Sequence, residues 1–166
     1  VAVGVIGTAV VAVFQDRIRA WMARPSLAID LVDPLGEMTF VGKPPEGTSA
    51  DRTAWFYHVR IANRNHWAPA TEVRVDLVTF VRSELGSHGR PSNAWSGPVP
   101  LLWKYQNCQP LFRTVGPEAI CDLIAVHFDG RAPYLQLQLL SRPHNLAVDY
   151  HGASRVELGI RATSAH

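Results

Sequence analysis

The chain has 166 residues, a length that fits one domain with an appendage better than two domains. Its 47% apolar and 18% charged residues are typical of a folded protein and exclude the disordered and fibrous classes. The formal net charge of +2 does not suit a nucleic-acid partner, because no cluster of Lys and Arg stands outside the N-terminal segment.

Residues 1–14, VAVGVIGTAVVAVF, are apolar throughout except for Thr8. This composition predicts a membrane helix. At a rise of about 1.5 Å per residue, however, the stretch covers only about 21 Å of a hydrocarbon core about 30 Å thick. We expect the span to begin upstream of residue 1, or to be lengthened by the apolar residues that follow. A cleaved signal peptide fits less well, since a basic start and a small-residue cleavage site are missing. A buried helix of a soluble protein is the remaining alternative.

Residues 15–25, QDRIRAWMARP, place basic residues directly after the apolar stretch. Arginines beside a span usually stay on the cytoplasmic side, and a Trp suits the level of the lipid headgroups. The predicted membrane-interface residues are Arg17, Arg19, Trp21 and Arg24. The chain therefore divides into a membrane helix with its basic segment, residues 1–24, and a folded domain on the cytoplasmic side, residues 25–166.

From residue 26 onward apolar residues recur with a period of two, which predicts β-strands. A first strand is predicted at residues 27–31 and a short edge strand at residues 38–41. Residues 55–80 predict two longer strands, separated by a corner of Asn, Pro and Ala residues that breaks the ladder. The predicted inward-facing residues of these two strands are Trp55, Tyr57, Val59, Ile61, Val73, Val75 and Leu77.

Residues 83–98 are rich in Gly, Pro and polar residues, so we expect the longest irregular loop there. Alternation or continuous apolar character then predicts four further strands. These cover residues 99–105, 119–128, 135–139 and 156–162. Short strands with turn signals between them, and no second long helix, indicate an all-β sandwich or barrel of seven to eight strands.

The run Val59-Arg60-Ile61-Ala62-Asn63, a polar corner with Pro69-Ala70, and then Val73-Arg74-Val75 resembles a known pattern. CARDB-like and related immunoglobulin-like domains of bacterial proteins show the same order of strand, Asn, corner, Ala and Val-x-Val. The basic entrance that ends in Arg24-Pro25-Ser26-Leu27 is similar to that of bacterial membrane-anchored proteins with such a domain. The resemblance implies an immunoglobulin-like β-sandwich after a span of the bacterial inner membrane, and it implies no activity. It departs from the family where Arg64 replaces the Gly that commonly follows the Asn.

The cysteines and histidines do not predict a metal site. Cys108 and Cys121 have neither CxxC nor metal-ligand spacing. The sequence therefore allows either one disulfide between them or two free thiols. None of the seven histidines has a second histidine at i+2 or i+4. We expect no metal and no cofactor, with His58 as a hydrogen-bonded sheet residue.

The sequence does not indicate an enzyme, and we assign no catalytic residue. The nucleophile elbow GxSxG is absent, so Ser96, Asp149 and His151 have no context that would make them a catalytic triad. A phosphate-binding loop is also missing, because no Gly-rich turn precedes a predicted helix.

Aromatic residues in polar stretches indicate a surface for a partner. Trp67 and Trp95 interrupt such stretches, the first beside Asn65 and His66 and the second near Arg90 and Asn93. The candidate partner or ligand surface consists of His66, Trp67, Arg90 and Trp95. The alternative is that each Trp folds back over an open end of the sandwich.

Together these observations favour a non-enzymatic adaptor that is tethered to a lipid bilayer and binds a protein partner. One alternative is a small-ligand sensor with a pocket for an anion such as a nucleotide. That pocket would use Arg60, Arg82, Arg90 and Trp95. A second alternative is an exported hydrolase, with both cysteines oxidised and a signal cleaved near Arg24.

Overall fold

The computed structural model describes residues 24–40, 53–65, 67–84, 91–104, 110–128, 133–152 and 154–165, together with residues 15, 17 and 21. The predicted membrane helix of residues 1–24 lies almost wholly outside this part of the chain. Among the residues that are described, no helix is both long enough and apolar enough to cross a bilayer.

The described fold is built from β-strands whose pairings are all antiparallel. The strands are β1 (Leu27–Leu31), β2 (Glu37–Phe40), β3 (Thr53–Asn63), β4 (Ala70–Glu84), β5 (Pro91–Pro100), β6 (Leu102–Trp103), β7 (Arg113–Val115), β8 (Glu118–Phe128), β9 (Tyr134–Leu137), β10 (Asp149–His151) and β11 (Ser154–Thr163). The prediction of an all-β domain is confirmed.

The first sheet has the order β1-β3-β8-β9-β10, with β2 also beside β3 and β6 also beside β8. β1 and β2 form one interrupted edge, since β1 pairs with the second half of β3 and β2 with the first half. The turn between them contains Gly36 with a φ of +76°, a conformation that glycine adopts without strain. A Cβ at this position would lie 3.0 Å from the ring of Tyr57, so the turn closes directly over that ring.

The second sheet has the order β11-β4-β5, with β7 also beside β4. β4 is its central strand, and β11 pairs with it from Thr163 opposite Arg74 to Ser154 opposite Glu84. β5 and β7 pair with successive parts of β4, so this sheet is held together mainly by its longest strand.

The two sheets pack face to face around one hydrophobic core, as in a β-sandwich. The first sheet contributes Val59, Ile61, Ala119, Cys121, Leu123, Leu137 and Tyr150, and the second contributes Ala70, Val73, Val75, Leu77, Phe80, Val99 and Val115. The prediction of inward-facing residues is confirmed for five of them: Val59, Ile61, Val73, Val75 and Leu77. The rings of Phe80 and Tyr150 stack at 4.7 Å between their centroids and join the two sheets. Full burial of a Val, Leu, Ile or Phe side chain contributes about 1.5–3 kcal/mol, so this core stabilises the domain.

The prediction of a loop at residues 83–98 is wrong for most of its length. β4 continues to Glu84, and residues 91–100 form strand β5, which pairs with β4. Proline is tolerated in an edge strand because its missing N–H can face away from the ladder. Gly97 has a φ of +149°, and a Cβ there would lie 3.1 Å from the ring of Trp95. The glycine that suggests a loop therefore permits a close contact within the strand.

Two short strands, β7 and β10, are not predicted from the sequence. Each has only three residues, which is too few for a period of two to be recognised. Their positions depend on partners elsewhere in the chain, since β7 pairs with β4 and β10 pairs with β9.

Candidate functional site

A cluster of ionisable side chains lies on the face of the first sheet that points away from the core. The centre of the cluster is His58 in β3. A β-bulge in β8 determines which residue of β8 lies opposite His58. Tyr57 pairs with Ile124 but His58 pairs with Asp122, so Leu123 is an extra residue in β8. The bulge therefore places a carboxylate directly opposite the imidazole.

Two carboxylates flank the His58 ring. Nδ1 lies 2.9 Å from Oδ1 of Asp122, and Nε2 lies 3.3 Å from Oε2 of Glu37 in β2. The same Glu37 oxygen accepts a hydrogen bond from Nζ of Lys104. His58 is only 5% exposed, yet in the described part of the chain neither ring nitrogen makes a hydrogen bond of good geometry. These contacts are therefore close polar contacts rather than aligned hydrogen bonds.

The two carboxylates have opposite electrostatic environments. The hydrogen bond and charge of Lys104 lower the pKa of Glu37, with a smaller contribution from His58. Burial raises the pKa of Asp122, and this cost of desolvation exceeds the favourable contributions of His58 and Lys104. The cluster thus fixes Glu37 as an anion. It also ties the edge strand β2 to β3 through His58 and to the residue after β6 through Lys104.

The cluster lines a shallow cleft of about 230 Å³, to which Thr39 and Phe56 also contribute. Phe56 and His58 lie parallel, with ring centroids 6.3 Å apart. Among the described residues, no group of three or more His, Cys, Asp and Glu side chains could hold a metal ion. The cleft therefore presents ionisable and aromatic side chains at a sheet edge.

A second feature is an apolar patch at the edge formed by β2. We call it the edge patch, and it consists of Met38, Phe40, Trp55 and Phe128. Met38 pairs with Trp55, and Thr53 stands between Phe40 and Phe128, so all four side chains are on one face. Met38 is 54% exposed, Phe40 69% and Phe128 42%. Trp55 and Phe128 make an edge-to-face contact with centroids 5.0 Å apart.

A third feature is the corner between β3 and β4, which we define as residues 63–65 and 67–69. Asn63 is buried and donates through Nδ2 to the carbonyl of Ala68 at 2.8 Å. Its Oδ1 accepts from the backbone N–H of Asn65 at 3.1 Å, and Oδ1 of Asn65 accepts from the N–H of Trp67 at 2.9 Å. The corner is thereby fixed by two consecutive Asx turns.

The corner presents Trp67 to solvent and lies beside a cleft. Trp67 is 86% exposed. A cleft of about 320 Å³ separates it from the turn that leads into β8. The cleft is lined by Asn65, Trp67, Ala68, Pro69, Gly116 and Pro117.

Of the predicted partner surface, the structure describes Trp67 and Trp95, which lie in different parts of the fold. Trp67 is exposed at the corner, whereas Trp95 lies in β5, partly buried against the core. His66 and Arg90 lie outside the described residues. Trp103 is also buried, so of these tryptophans it is Trp67 that remains at the surface.

The predicted anion pocket is not assembled by the residues that are described. Arg60 in the first sheet lies 4.0 Å from Asp30. Arg82, in the second sheet, donates to the carbonyl of His151 at 2.6 Å and lies over the ring of Tyr150. The two arginines belong to different sheets and point to different partners.

Cys121 does not form the disulfide that the sequence allows. This residue is a buried free thiol in the core. Burial, reinforced by the adjacent Asp122, raises the pKa of the thiol to about 12. Cys121 is therefore an inert core residue in the folded domain.

Of the predicted membrane-interface residues, Arg17, Trp21 and Arg24 are among the described residues, and Arg19 is outside them. Trp21 and Arg24 are exposed. The backbone N–H of Arg24 donates to the carbonyl of Trp21 at 3.3 Å.

Sequence reasoning missed the partners of His58 and the edge patch. One signal was available, because Lys104 and Asp122 are each the one charged residue within an otherwise apolar run. Charged residues in such positions are rarely buried without a partner. The pairing itself depends on a bulge that alternation along one strand does not reveal.

No protein-family model, curated protein or solved structure matches this chain.

Proposed function

We propose that the chain is a membrane-tethered interaction module that binds an extended segment of a partner protein along β2. The tether is the apolar segment of residues 1–14, and the module is an immunoglobulin-like sandwich. It belongs on the cytoplasmic side of a bacterial inner membrane. The role is that of an adaptor, without a reaction of its own.

The order of the strands supports an immunoglobulin-like class. In such domains the second and third strands lie in different sheets, each beside a strand from the later part of the chain. Here β1 and β2 share one edge, so β3 and β4 correspond to the second and third strands. They are in different sheets, with β3 beside β8 and β4 beside β11. The hairpin of β9 and β10 is an addition beyond β8.

The edge patch is the observation that carries the proposal. Within the described residues β2 pairs with β3 along one side, and every residue of β2 is exposed. An edge strand with open backbone groups and apolar side chains is a site where an extended peptide adds a further strand. Glu37 is held by Lys104 and His58, so the edge is fixed before a partner arrives. A fixed edge lowers the ordering cost of binding.

The position of the described arginines makes an anion sensor the weaker choice. A pocket for a phosphate or carboxylate needs cationic groups that converge on one point. Arg60 and Arg82 are in different sheets, and Asp30 lies close to the first of them.

A photo-crosslinking experiment tests the partner surface. A benzophenone amino acid replaces Phe40 in the full chain, and the control replaces Glu157 in β11, which is also exposed. In the cells that make the protein, we expect one discrete crosslinked product from position 40 and none from position 157. The product should disappear when Met38→Asp is added. Equal products at both positions, or none at position 40, would contradict binding along β2.

Flotation with phospholipid vesicles tests the tether. The full chain should rise with the vesicles through a density gradient. A chain with Val5→Arg and Val10→Arg should stay at the bottom, because each charge at the centre of a span costs about 2.5–3.5 kcal/mol on insertion scales. Flotation of both chains would exclude insertion of residues 1–14.

A further inference from the structure

The corner between β3 and β4 lies at the end of the domain where the N-terminal segment enters. β1 begins at Leu27, which pairs with Asn63, the last residue of β3. The corner also bonds to this segment directly. Nδ2 of Asn65 donates to the carbonyl of Arg24 at 2.8 Å, and the N–H of Arg64 donates to the carbonyl of Ser26 at 2.8 Å.

These bonds limit the distance between the corner and the apolar segment. Nine residues separate Phe14 from Arg24, and as a helix they cover about 14 Å. The polar headgroup region adds several ångströms to each side of the hydrocarbon core, because the bilayer is about 40–45 Å thick in total. If residues 1–14 are in the membrane, as proposed above, an upright helix places the corner about 14 Å beyond the hydrocarbon core, several ångströms above the headgroups, and a tilted helix brings it closer to them.

Trp67 is exposed at this end on a hydrogen-bonded backbone. Its backbone N–H donates to Oδ1 of Asn65, and the residue is 86% exposed. A Trp ring has a large apolar surface with one N–H donor, which suits the interface between headgroups and acyl chains. The corner therefore presents an exposed aromatic side chain from a hydrogen-bonded backbone, at the end of the domain that faces the proposed membrane.

The cleft beside Trp67 has room for part of a lipid. Its volume of about 320 Å³ lies within the range of small-molecule sites, and its walls include Pro69 and Pro117. The charged residues of this end are mixed, since Arg24 and Arg64 are exposed and so are Glu72 and Glu118. Because the described residues of this end carry exposed charges of both signs, apolar insertion rather than attraction to anionic lipid is the driving force.

We propose that this corner is a second membrane contact, in which Trp67 inserts at the lipid interface and the cleft receives a lipid headgroup. This inference rests on the proposed tether. The contact would set the orientation of the domain, with β1 entering from the membrane and the edge patch at the far end of β3.

Fluorescence quenching by brominated lipid tests the contact. The full chain carries Trp21→Phe, so that the tryptophan nearest the span does not contribute. It is inserted into phosphatidylcholine vesicles with brominated or ordinary acyl chains. We expect brominated lipid to quench this chain, and the added substitution Trp67→Phe to reduce the emission to the same value in both lipids.

A matched control uses Trp55→Phe in place of Trp67→Phe. Trp55 lies in the edge patch at the other end of β3, so this change should leave the quenching by brominated lipid intact. Because Trp67 is exposed, Trp67→Phe should not unfold the domain, and circular dichroism verifies the strand content of each variant.

Flotation separates failure of this inference from failure of the tether. A chain that floats but shows no Trp67-dependent quenching overturns the corner contact and leaves the tether in place. A chain that does not float overturns the tether. Protection of Trp67 from aqueous acrylamide in detergent without lipid, rising with protein concentration, indicates a second copy of the chain at the corner and also overturns the lipid contact.

Discussion

Asn63 fixes the geometry of the β3–β4 corner from a buried position. It is buried, and its side chain satisfies one backbone donor and one backbone acceptor within the corner. An amide side chain can do both at once, whereas a carboxylate can only accept. An Asn thus has a physical reason at this position.

Replacement of this residue tests that role. Asn63→Ala leaves the carbonyl of Ala68 and the N–H of Asn65 without their partner, so we expect a loss of about 1–3 kcal/mol in the free energy of unfolding. Urea denaturation of the full chain in lipid or detergent gives the value. Asn145→Ala, at an exposed position, is the matched control, and a similar loss in both variants would refute the role of Asn63.

Asp122 provides a pH-dependent prediction. Burial raises its pKa in the folded state above the usual value of 3.8. The folded state therefore holds this proton more tightly than the unfolded state, and its contribution to stability is lost as pH rises above 3.8 through the raised folded value. Asp122→Asn removes this dependence.

The expected result is that stability changes with pH at a different slope in the wild-type chain and in Asp122→Asn. From just above pH 4 towards neutrality, the stability of the wild-type chain should fall relative to that of Asp122→Asn. Thermal unfolding at a series of pH values measures it. Glu37, whose pKa is lowered, contributes in the opposite direction in both chains. Parallel stability curves for the two chains would show that burial of Asp122 does not control its ionisation.

At the scale of the element, regular alternation is what made strands predictable. β1, β9 and β11 follow a period of two, and the structure confirms a strand at each predicted place. β5 was missed because its Gly and Pro residues are the ones that normally interrupt a strand. Here they are tolerated because β4 is long enough to pair with a strand that bends twice, at the register shifts near Thr79 and Ser83.

The candidate site was less predictable than the strands. Glu37, His58, Lys104 and Asp122 come from four separate segments, and they meet only because β2, β3 and β8 are neighbours in one sheet. Alternation shows which face a side chain takes, but it does not show which strands are adjacent or where a bulge shifts the register.

Gly97 gives a test of the unexpected strand β5. Gly97→Ala should cost about 1–2 kcal/mol, because its φ of +149° is strained for other residues and a Cβ would press on the Trp95 ring. Gly116→Ala is the control, since nothing lies within 4 Å of a Cβ there. Chemical denaturation compares the two variants. Equal stability of the Gly97→Ala and wild-type chains would mean that β5 does not adopt this conformation.

At the scale of the whole molecule, Tyr150 joins the two sheets from the edge of the first. Its ring stacks on Phe80 in β4, and its hydroxyl donates to the carbonyl of Ala147 at 2.7 Å. Arg82 lies over the same ring at 5.7 Å. A short strand that sequence patterns do not reveal therefore carries one of the main contacts between the layers.

Two substitutions separate these contributions. Tyr150→Ala should lower the free energy of unfolding by about 3–5 kcal/mol, as other large-to-small changes of aromatic core residues do. Tyr150→Phe keeps the stacking and should cost only about 1 kcal/mol for the lost hydrogen bond. Denaturant titrations measure both, and equal losses would show that the hydrogen bond to Ala147, rather than the stacking on Phe80, accounts for the contribution of Tyr150.

The pairing of β3 with β8 and of β4 with β11 also has a kinetic consequence. Both partners emerge from the ribosome long after the strands that need them, and closing such long loops slows folding. During synthesis the nascent chain displays two unprotected ladders of backbone groups. If the leading segment is already in the bilayer at that time, the domain must mature beside the lipid, where chaperones and neighbouring chains compete for those ladders.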